Sequence, residues 1–222
     1  MNKSLLLGAV LFFAVIAAQA QSPEKITRNG YTLTFLNNSA SFDPALKQRM
    51  IETFFKVYPI LANDFNKNTD KAVTFSIDTA YKGVAATGGG RIVYNPEWFV
   101  KHPGDIDVVT HEVMHVVQNY GNGGGPGWLT EGIADYVRFK YGVDNPGANW
   151  TLTPFKAEHS YKNAYRITAR FLNWLETHGN KGIVVKLDNI IRTHTYSANT
   201  WQDLTGKSVD ELWTAYAANP NS

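Results

Sequence analysis

The segment from residue 110 to residue 118 reads THEVMHVVQ, and the segment from 128 to 138 reads WLTEGIADYVR. The first contains the pentad HExxH, which begins at His111 and ends at His115. Because residues four apart on a helix lie about 40° apart around the axis and about 6 Å along it, both imidazoles project from one face. Glu112 lies beside them. This spacing is typical of a helix on which two histidines bind one zinc ion and the glutamate accepts a proton from a water molecule that the metal activates.

The second segment offers the missing ligand. A catalytic zinc ion needs three protein ligands and one open position, and we expect Glu131 to be the third ligand. Asp135 lies one helical turn further on, where its carboxylate is expected to accept the ring N–H of a ligating histidine. The reverse assignment of the two carboxylates stays open, as does an ordinary capping or salt-bridge role for Asp135. Gln118 shares the face of His115 and is predicted to contact substrate or the ligating residues, although helix packing explains it equally well.

The composition is that of a globular chain without thiol chemistry. Of its 222 residues, 44% are hydrophobic and 18% are charged, and we expect one compact domain. The chain has no cysteine, so disulfides, thiolate ligands and a cysteine nucleophile are excluded, and any metal must bind to His, Asp or Glu. Since 21 basic residues nearly balance 19 acidic ones, charge alone would not hold a nucleic acid or an anionic membrane. We therefore expect no nucleic-acid partner.

Residues 1–20 have the pattern of a secretory signal peptide. Lys3 precedes an apolar run from Leu5 to Ala18, and the small-x-small sequence Ala18-Gln19-Ala20 follows it. The run is shorter than the roughly 18 to 20 residues that span a bilayer, which favours cleavage over a retained anchor helix. We expect residues 21–222 to form a secreted or periplasmic monomer that has no membrane attachment after cleavage.

Hydrophobic periodicity predicts strands early in the chain and helices later. Strands are expected at residues 31–36, 72–77, 83–87 and 91–94, the last two around the glycines of 88–90. Helices are expected at residues 43–65, 105–120, 129–141, 161–176 and 182–194, and from Ser208 onward. The first helix has one apolar face and should pack against the sheet. The order of elements predicts an α+β fold, a small mixed sheet packed on helices, in which the HExxH helix is followed by a helix that carries a glutamate.

The two motifs resemble those of a known class of enzymes. HExxH followed by WLxEGxA is similar to the gluzincin metallopeptidases, whose third zinc ligand is a glutamate on the next helix. The resemblance narrows to the basic secretory protein family, a group of plant and bacterial proteins classed as zinc metallopeptidases and associated in plants with defence. It rests on residues 83–89 (GVAATGG), 110–118, 131–138 (EGIADYVR), 165–172 (YRITARFL) and 206–213 (GKSVDELW). The near-neutral charge departs from the basic character that the family name suggests.

The resemblance implies a single zincin-like domain and a zinc-dependent peptidase, with one zinc ion per chain and a peptide or protein as substrate. Segment 84–94 resembles the strand that lines the zincin cleft and pairs with extended substrate, so Gly88 and Gly89 are expected to bind substrate and endopeptidase action is favoured. A plain edge strand bent by glycines is the alternative. Gluzincins also supply a Tyr or His that stabilises the oxyanion, and Tyr165 is the first candidate, ahead of Tyr161 and His159. A buried structural role for Tyr165 is an equal alternative.

Two other functions fit the same ligands. A secreted defence or binding module could keep the zinc for structure alone and have no turnover. Glu112 favours catalysis over this alternative, because a structural zinc site has no use for an unligated glutamate beside the open coordination position. A zinc hydrolase that acts on a non-peptide amide would share every ligand and would differ only in its substrate.

Overall fold

A computed structural model describes residues 22–221 of the chain. The predicted signal peptide lies outside these residues. The described part forms a sheet followed by a set of helices, as the sequence predicts, and the α+β class is confirmed. No helix within residues 22–221 is long and apolar enough to cross a membrane.

The sheet has five strands in the spatial order β1-β2-β3-β5-β4. Their bounds are β1 (Glu24–Arg28), β2 (Tyr31–Asn37), β3 (Ala72–Ile77), β4 (Ala85–Gly88) and β5 (Arg91–Tyr94). The three inner strands run parallel, while the two outer strands, β1 and β4, pair antiparallel with their neighbours. The sheet is therefore mixed, and β4 is an edge strand.

The first helix, α1 (Pro44–Asp64), covers one face of the sheet. It begins as predicted, since the Asp43 carboxylate accepts a hydrogen bond from the backbone N–H of Ala45 and proline occupies the first turn. Phe54 of this helix contacts Phe75 of β3 edge to face, with ring centroids 5.6 Å apart. This aromatic contact fixes the long helix against the central strands.

The remaining helices are α2 (Pro96–Lys101), α3 (Val108–Gln118), α4 (Gly127–Tyr141), α5 (Tyr165–Thr177), α6 (Ile183–Arg192), α7 (Thr200–Thr205) and α8 (Val209–Ala218). Helix α3 lies between α1 and α4, and it also contacts β4. Asp107, just before α3, is buried and accepts hydrogen bonds from the backbone N–H groups of Val143 and Asp144, at 2.8 and 2.6 Å. The segment after α4 is thereby tied to the start of α3, which fixes the two helices relative to each other.

One predicted helix was wrong at its start. The expected helix at residues 161–176 is divided, because Tyr161–Asn163 form a 3₁₀ turn and α5 begins only at Tyr165. Ala164 between them has φ 63° and ψ −171°, which a helix cannot accommodate. The Ser160 and Asn163 side chains close the turn with reciprocal backbone hydrogen bonds. Strand β1 and helix α7, both of which are short, were not predicted from the sequence.

The packing of α4 on α5 requires a residue without a side chain at position 132. A Cβ atom added to Gly132 would lie 2.2 Å from Cγ2 of Thr168. Thr168 is held in place, since it is buried and its hydroxyl donates to the carbonyl of Tyr161 at 2.6 Å. We expect Gly132→Ala to lower the free energy of unfolding by about 1–3 kcal/mol in urea denaturation, because overpacking outweighs the helix propensity of alanine.

The matched control for this substitution is Gly127→Ala. Gly127 lies in the same helix, and an added Cβ there would meet no atom within 4 Å. We expect the control to change the free energy of unfolding by no more than about 0.5 kcal/mol. Equal stability of the two variants would show that α4 and α5 do not pack as closely as the structure has them.

Candidate metal centre and cleft

Helix α3 presents two histidines on one face at the spacing that the sequence predicts. Nε2 of His111 and Nε2 of His115 lie 3.1 Å apart. Each ring is oriented through its other nitrogen. His111 Nδ1 lies 2.7 Å from Oδ1 of Asp135, and His115 Nδ1 lies 2.6 Å from Oε1 of Gln118. With Nδ1–H donating to these oxygens, the two Nε2 lone pairs converge on one point.

Glu131 of α4 completes a triangle of donor atoms. Its Oε2 lies 3.2 Å from His111 Nε2 and 3.5 Å from His115 Nε2. A tetrahedral zinc ion with bonds of about 2.0–2.1 Å separates its ligands by roughly 3.3–3.4 Å. The observed edges of 3.1, 3.2 and 3.5 Å are close to this separation. Within the described residues, these three form the one group with metal-ligand geometry, and two nitrogens with one carboxylate oxygen are a donor set that suits zinc.

The electrostatics at this triangle favour a positive charge. Burial lowers the pKa of His111, but hydrogen bonds to Asp135 and Glu131 outweigh it and raise the pKa to about 10. Burial raises the pKa of Glu131, but hydrogen bonds from His111 and His115 hold it well below its usual range. With both imidazoles protonated at Nδ1, three acceptor atoms lie close together, and a cation between them, a proton or a metal ion, would be stabilised by their charge and lone pairs.

Gln118, which lines the cleft, contacts His115. It is 1% exposed, and its Nε2 donates to the carbonyl of Thr130 at 2.9 Å while its Oε1 faces His115. Of the two contacts predicted for Gln118, the one with the ligating residues is therefore present, since both polar ends of the side chain are engaged within the protein. Contact with substrate stays a prediction. The position of Gln118 links α3 to the first turn of α4, next to Glu131.

The side chain of Glu112 is held by a hydrogen bond from β4. It is 7% exposed, and its Oε2 accepts a hydrogen bond from the Thr87 hydroxyl at 2.6 Å. The same hydroxyl lies 3.2 Å from the backbone carbonyl of Glu112. Thr87 was not predicted as a site residue from the sequence, because the contact joins a strand to a helix 25 residues later. The alternation of β4 was the available signal, because it places Thr87 and Ala85 on the same face of the strand.

Tyr165 lies beside the candidate metal centre. Its ring is nearly parallel to that of His111, with centroids 6.3 Å apart and planes inclined by 19°. Its side chain is 54% exposed, so the alternative of a buried structural tyrosine was wrong. Glu131 makes the largest contribution to raising the pKa of the Tyr165 phenol, followed by burial. Both Tyr165 and Ala164 have positive φ, at 47° and 63°, a backbone conformation that costs energy in residues other than glycine.

The other two candidates for the oxyanion donor lie elsewhere. Tyr161 is buried, and its hydroxyl donates to Asp210 at 2.8 Å. His159 accepts a hydrogen bond from the backbone N–H of Lys156 at 3.1 Å. Neither lines the cleft above the metal centre, which leaves Tyr165 as the candidate that the structure brings to the site.

An open cleft of about 1470 Å³ runs along α3. One wall is β4 with the turn of Gly88 and Gly89, where an added Cβ would meet no atom within 4 Å. The lining extends from Val108, one turn before the first histidine, to Asn119, just past the end of α3. The volume exceeds the roughly 300–1,000 Å³ typical of small-molecule pockets, so the cleft has room for an extended ligand.

Solved structures of M1 zinc metallopeptidases share this fold. One is a two-domain enzyme, a glutamate-to-alanine mutant bound to L-tryptophan, with a TM-score of 0.51 at 15% identity. Two from Deinococcus radiodurans have TM-scores of 0.52, a mutant bound to a Tyr-Ser-Ala substrate at 14% identity and the enzyme itself at 13%. Each alignment covers 87% of this chain and 50% of the other, so the chain spans about half the length of these structures. Identities this low show the fold alone.

The sequence also matches a family profile. No curated protein gives a significant match. The profile of the BSP family, described as peptidase of plants and bacteria, matches residues 27–216, which is most of the part of the chain that the structure describes. The resemblance found in the motifs is confirmed over nearly the whole domain, and the chain belongs to the BSP family of plant and bacterial peptidases.

Proposed function

We propose that the protein is a secreted or periplasmic zinc-dependent endopeptidase that binds one zinc ion per chain through His111, His115 and Glu131. The observation that carries this proposal is the convergence of three donor atoms at 3.1, 3.2 and 3.5 Å beside an unligated glutamate in an open cleft. Zinc bound there would lower the pKa of a water molecule toward neutrality and polarise a peptide carbonyl. Asp135 and Gln118 would hold the two imidazoles in the tautomer that leaves each Nε2 free to bind.

Glu112 is proposed as the general base and then the general acid. Its carboxylate accepts a proton from the attacking water, whose oxygen forms a bond to the peptide carbonyl carbon. When the C–N bond breaks, the same proton goes to the departing amine. Thr87 already donates to Oε2, so Oε1 is the oxygen that remains for proton transfer. The hydrogen bond from Thr87 holds the Glu112 carboxylate next to the three donor atoms, and Glu112 is not itself a proposed ligand.

Tyr165 is proposed to stabilise the developing oxyanion. Its exposed side chain lies beside His111, and its backbone has a positive φ, which is unfavourable for a tyrosine. A phenol at this place can donate a hydrogen bond to the carbonyl oxygen as negative charge develops on it. The strained residues Ala164 and Tyr165 fit this role, because such conformations concentrate at functional sites.

The proposed substrate is an extended peptide within a longer chain. Edge strand β4 can accept a peptide as an additional strand along the cleft, and Gly88 and Gly89 leave open space at its end. Because the cleft continues past both histidines along α3, a peptide can extend on both sides of the bond to be cleaved. Endopeptidase action on unfolded or loop segments follows from this openness. A binding module that merely retained the zinc would have no need for Glu112 in its present position.

The proposal is tested by metal removal. The purified protein from Gln21 to Ser222 is incubated with a diverse peptide mixture, and the cleaved peptides are identified by mass spectrometry. We expect cleavage within peptides by the zinc-loaded protein, loss of cleavage after dialysis against a chelator, and recovery with one equivalent of zinc. Zinc bound at one ion per chain without any cleavage would instead support the binding module.

A further inference from the structure

Only some backbone N–H and C=O groups of β4 point toward the open edge of the sheet. Val84 accepts a hydrogen bond from the N–H of Asn95 at 3.1 Å, so these facing residues form a hydrogen-bonded pair. In an antiparallel ladder such pairs alternate with non-hydrogen-bonded ones. Thr87 lies three residues after Val84, and the register pairs it with Ile92. Because the two kinds of pair alternate, Thr87 and Ile92 form a non-hydrogen-bonded pair. The N–H and C=O of Thr87 therefore point away from β5, toward the open edge of the sheet.

The neighbouring outward position is already occupied. Ala85 also points its backbone groups away from β5, but its carbonyl accepts a hydrogen bond from the Tyr81 hydroxyl at 3.0 Å. Thr87 is thus the residue in β4 at which an added peptide strand could form both an N–H and a C=O hydrogen bond. Beyond it, the chain turns at Gly89.

The side chain of the same residue holds the proposed base. Its hydroxyl lies 2.6 Å from Oε2 of Glu112 and 3.2 Å from the carbonyl of that residue. Glu112 is buried, so a hydrogen bond to its carboxylate is stronger than one in water. The backbone of Thr87 thereby faces substrate while its side chain orients the carboxylate.

We propose that Thr87 is a positioning residue that couples the pairing of a peptide with β4 to the orientation of Glu112. This inference rests on the proposed function. A peptide strand hydrogen-bonded to Thr87 fixes the backbone from which the hydroxyl extends, and the hydroxyl then fixes Glu112. Long peptides, which reach the position that pairs with Thr87, have a higher kcat as well as a lower KM. Peptides too short to reach Thr87 lack this gain.

The test compares Thr87→Val with Thr87→Ser in the zinc-loaded protein. Valine keeps the size, the branching and the backbone hydrogen bonds but lacks the hydroxyl, whereas serine keeps the hydroxyl. With a set of peptides of increasing length around one cleaved bond, we expect Thr87→Val to reduce kcat for long peptides roughly 10- to 100-fold with KM little changed. The rise of kcat with length should disappear in this variant, and Thr87→Ser should retain most of it.

Two measurements separate this role from a structural one. Zinc content should be the same in Thr87→Val and the wild type, and both should be fully folded at the assay temperature by circular dichroism, although loss of the donor to the buried Glu112 carboxylate lowers the thermal midpoint of the variant. The affinity for a peptide hydroxamate, a metal-binding probe whose N–H and O–H groups can contact the base, should fall in Thr87→Val and be restored in Thr87→Ser. Equal kcat in wild type and Thr87→Val, or equal losses in both variants, would overturn the coupling. Absence of peptide cleavage by the wild type would instead refute the proposed function.

Discussion

Glu112→Gln is expected to abolish peptide cleavage while leaving the metal centre filled. Glutamine has nearly the size of glutamate and can still accept the hydrogen bond from Thr87, but its amide cannot take a proton from water at neutral pH. Loss of general acid–base catalysis typically costs about 10²–10⁴ in rate. Because the proposed mechanism assigns both proton transfers to Glu112, we expect a fall in kcat of at least about 10³. Since none of the three donor atoms in the triangle belongs to Glu112, zinc content should be unchanged.

The measurements are kcat on a peptide that the wild type cleaves and zinc content by mass spectrometry. Glu158→Gln is the matched control, because Glu158 is exposed and its nearest cation, Lys156, is 3.8 Å away. The control should keep both the activity and the metal. Loss of zinc in Glu112→Gln would mean that this carboxylate is a ligand, and full activity would mean that another group is the base.

The sequence allowed prediction of those parts of the site that are set by local periodicity. The convergence of His111 and His115 follows from four-residue spacing on one helix, and the spacing of Glu131 and Asp135 follows in the same way. That the two helices face each other followed from a chemical requirement, since two histidines alone make an incomplete catalytic zinc site. The order of strands and helices similarly gave the α+β class, because long apolar faces have a strong periodic signal.

Contacts between distant segments could not be predicted in this way. Thr87 meets Glu112 only because β4 lies at the edge of the sheet above α3, a fact about strand order rather than composition. The exposure of Tyr165 depends on the break at Ala164, and alanine gives no sequence signal for positive φ. Strand β1 was missed because its short polar sequence, EKITR, has little apolar content. Tertiary packing determines these features, and local patterns do not record it.

The second large effect concerns the two carboxylates of α4. In the structure Oε2 of Glu131 lies 3.2 and 3.5 Å from the histidine Nε2 atoms, whereas Asp135 contacts His111 through the other ring nitrogen at 2.7 Å. Glu131→Ala removes a proposed ligand and should empty the site at zinc concentrations that saturate the wild type. Asp135→Ala leaves the three proposed ligands and removes only the group that orients one of them, so zinc affinity should fall by about 10- to 100-fold.

Competition with a fluorescent zinc chelator measures both affinities, and Asp135→Asn is the informative companion. Its amide oxygen can still accept the ring N–H of His111, so it should retain more affinity than Asp135→Ala while lacking the negative charge. The order of affinities is then wild type, Asp135→Asn, Asp135→Ala and Glu131→Ala. An empty site in Asp135→Ala together with a filled one in Glu131→Ala would reverse the two assignments, because a ligand contributes a bond to the metal and its hydrogen-bonded neighbour contributes only the orientation of that bond.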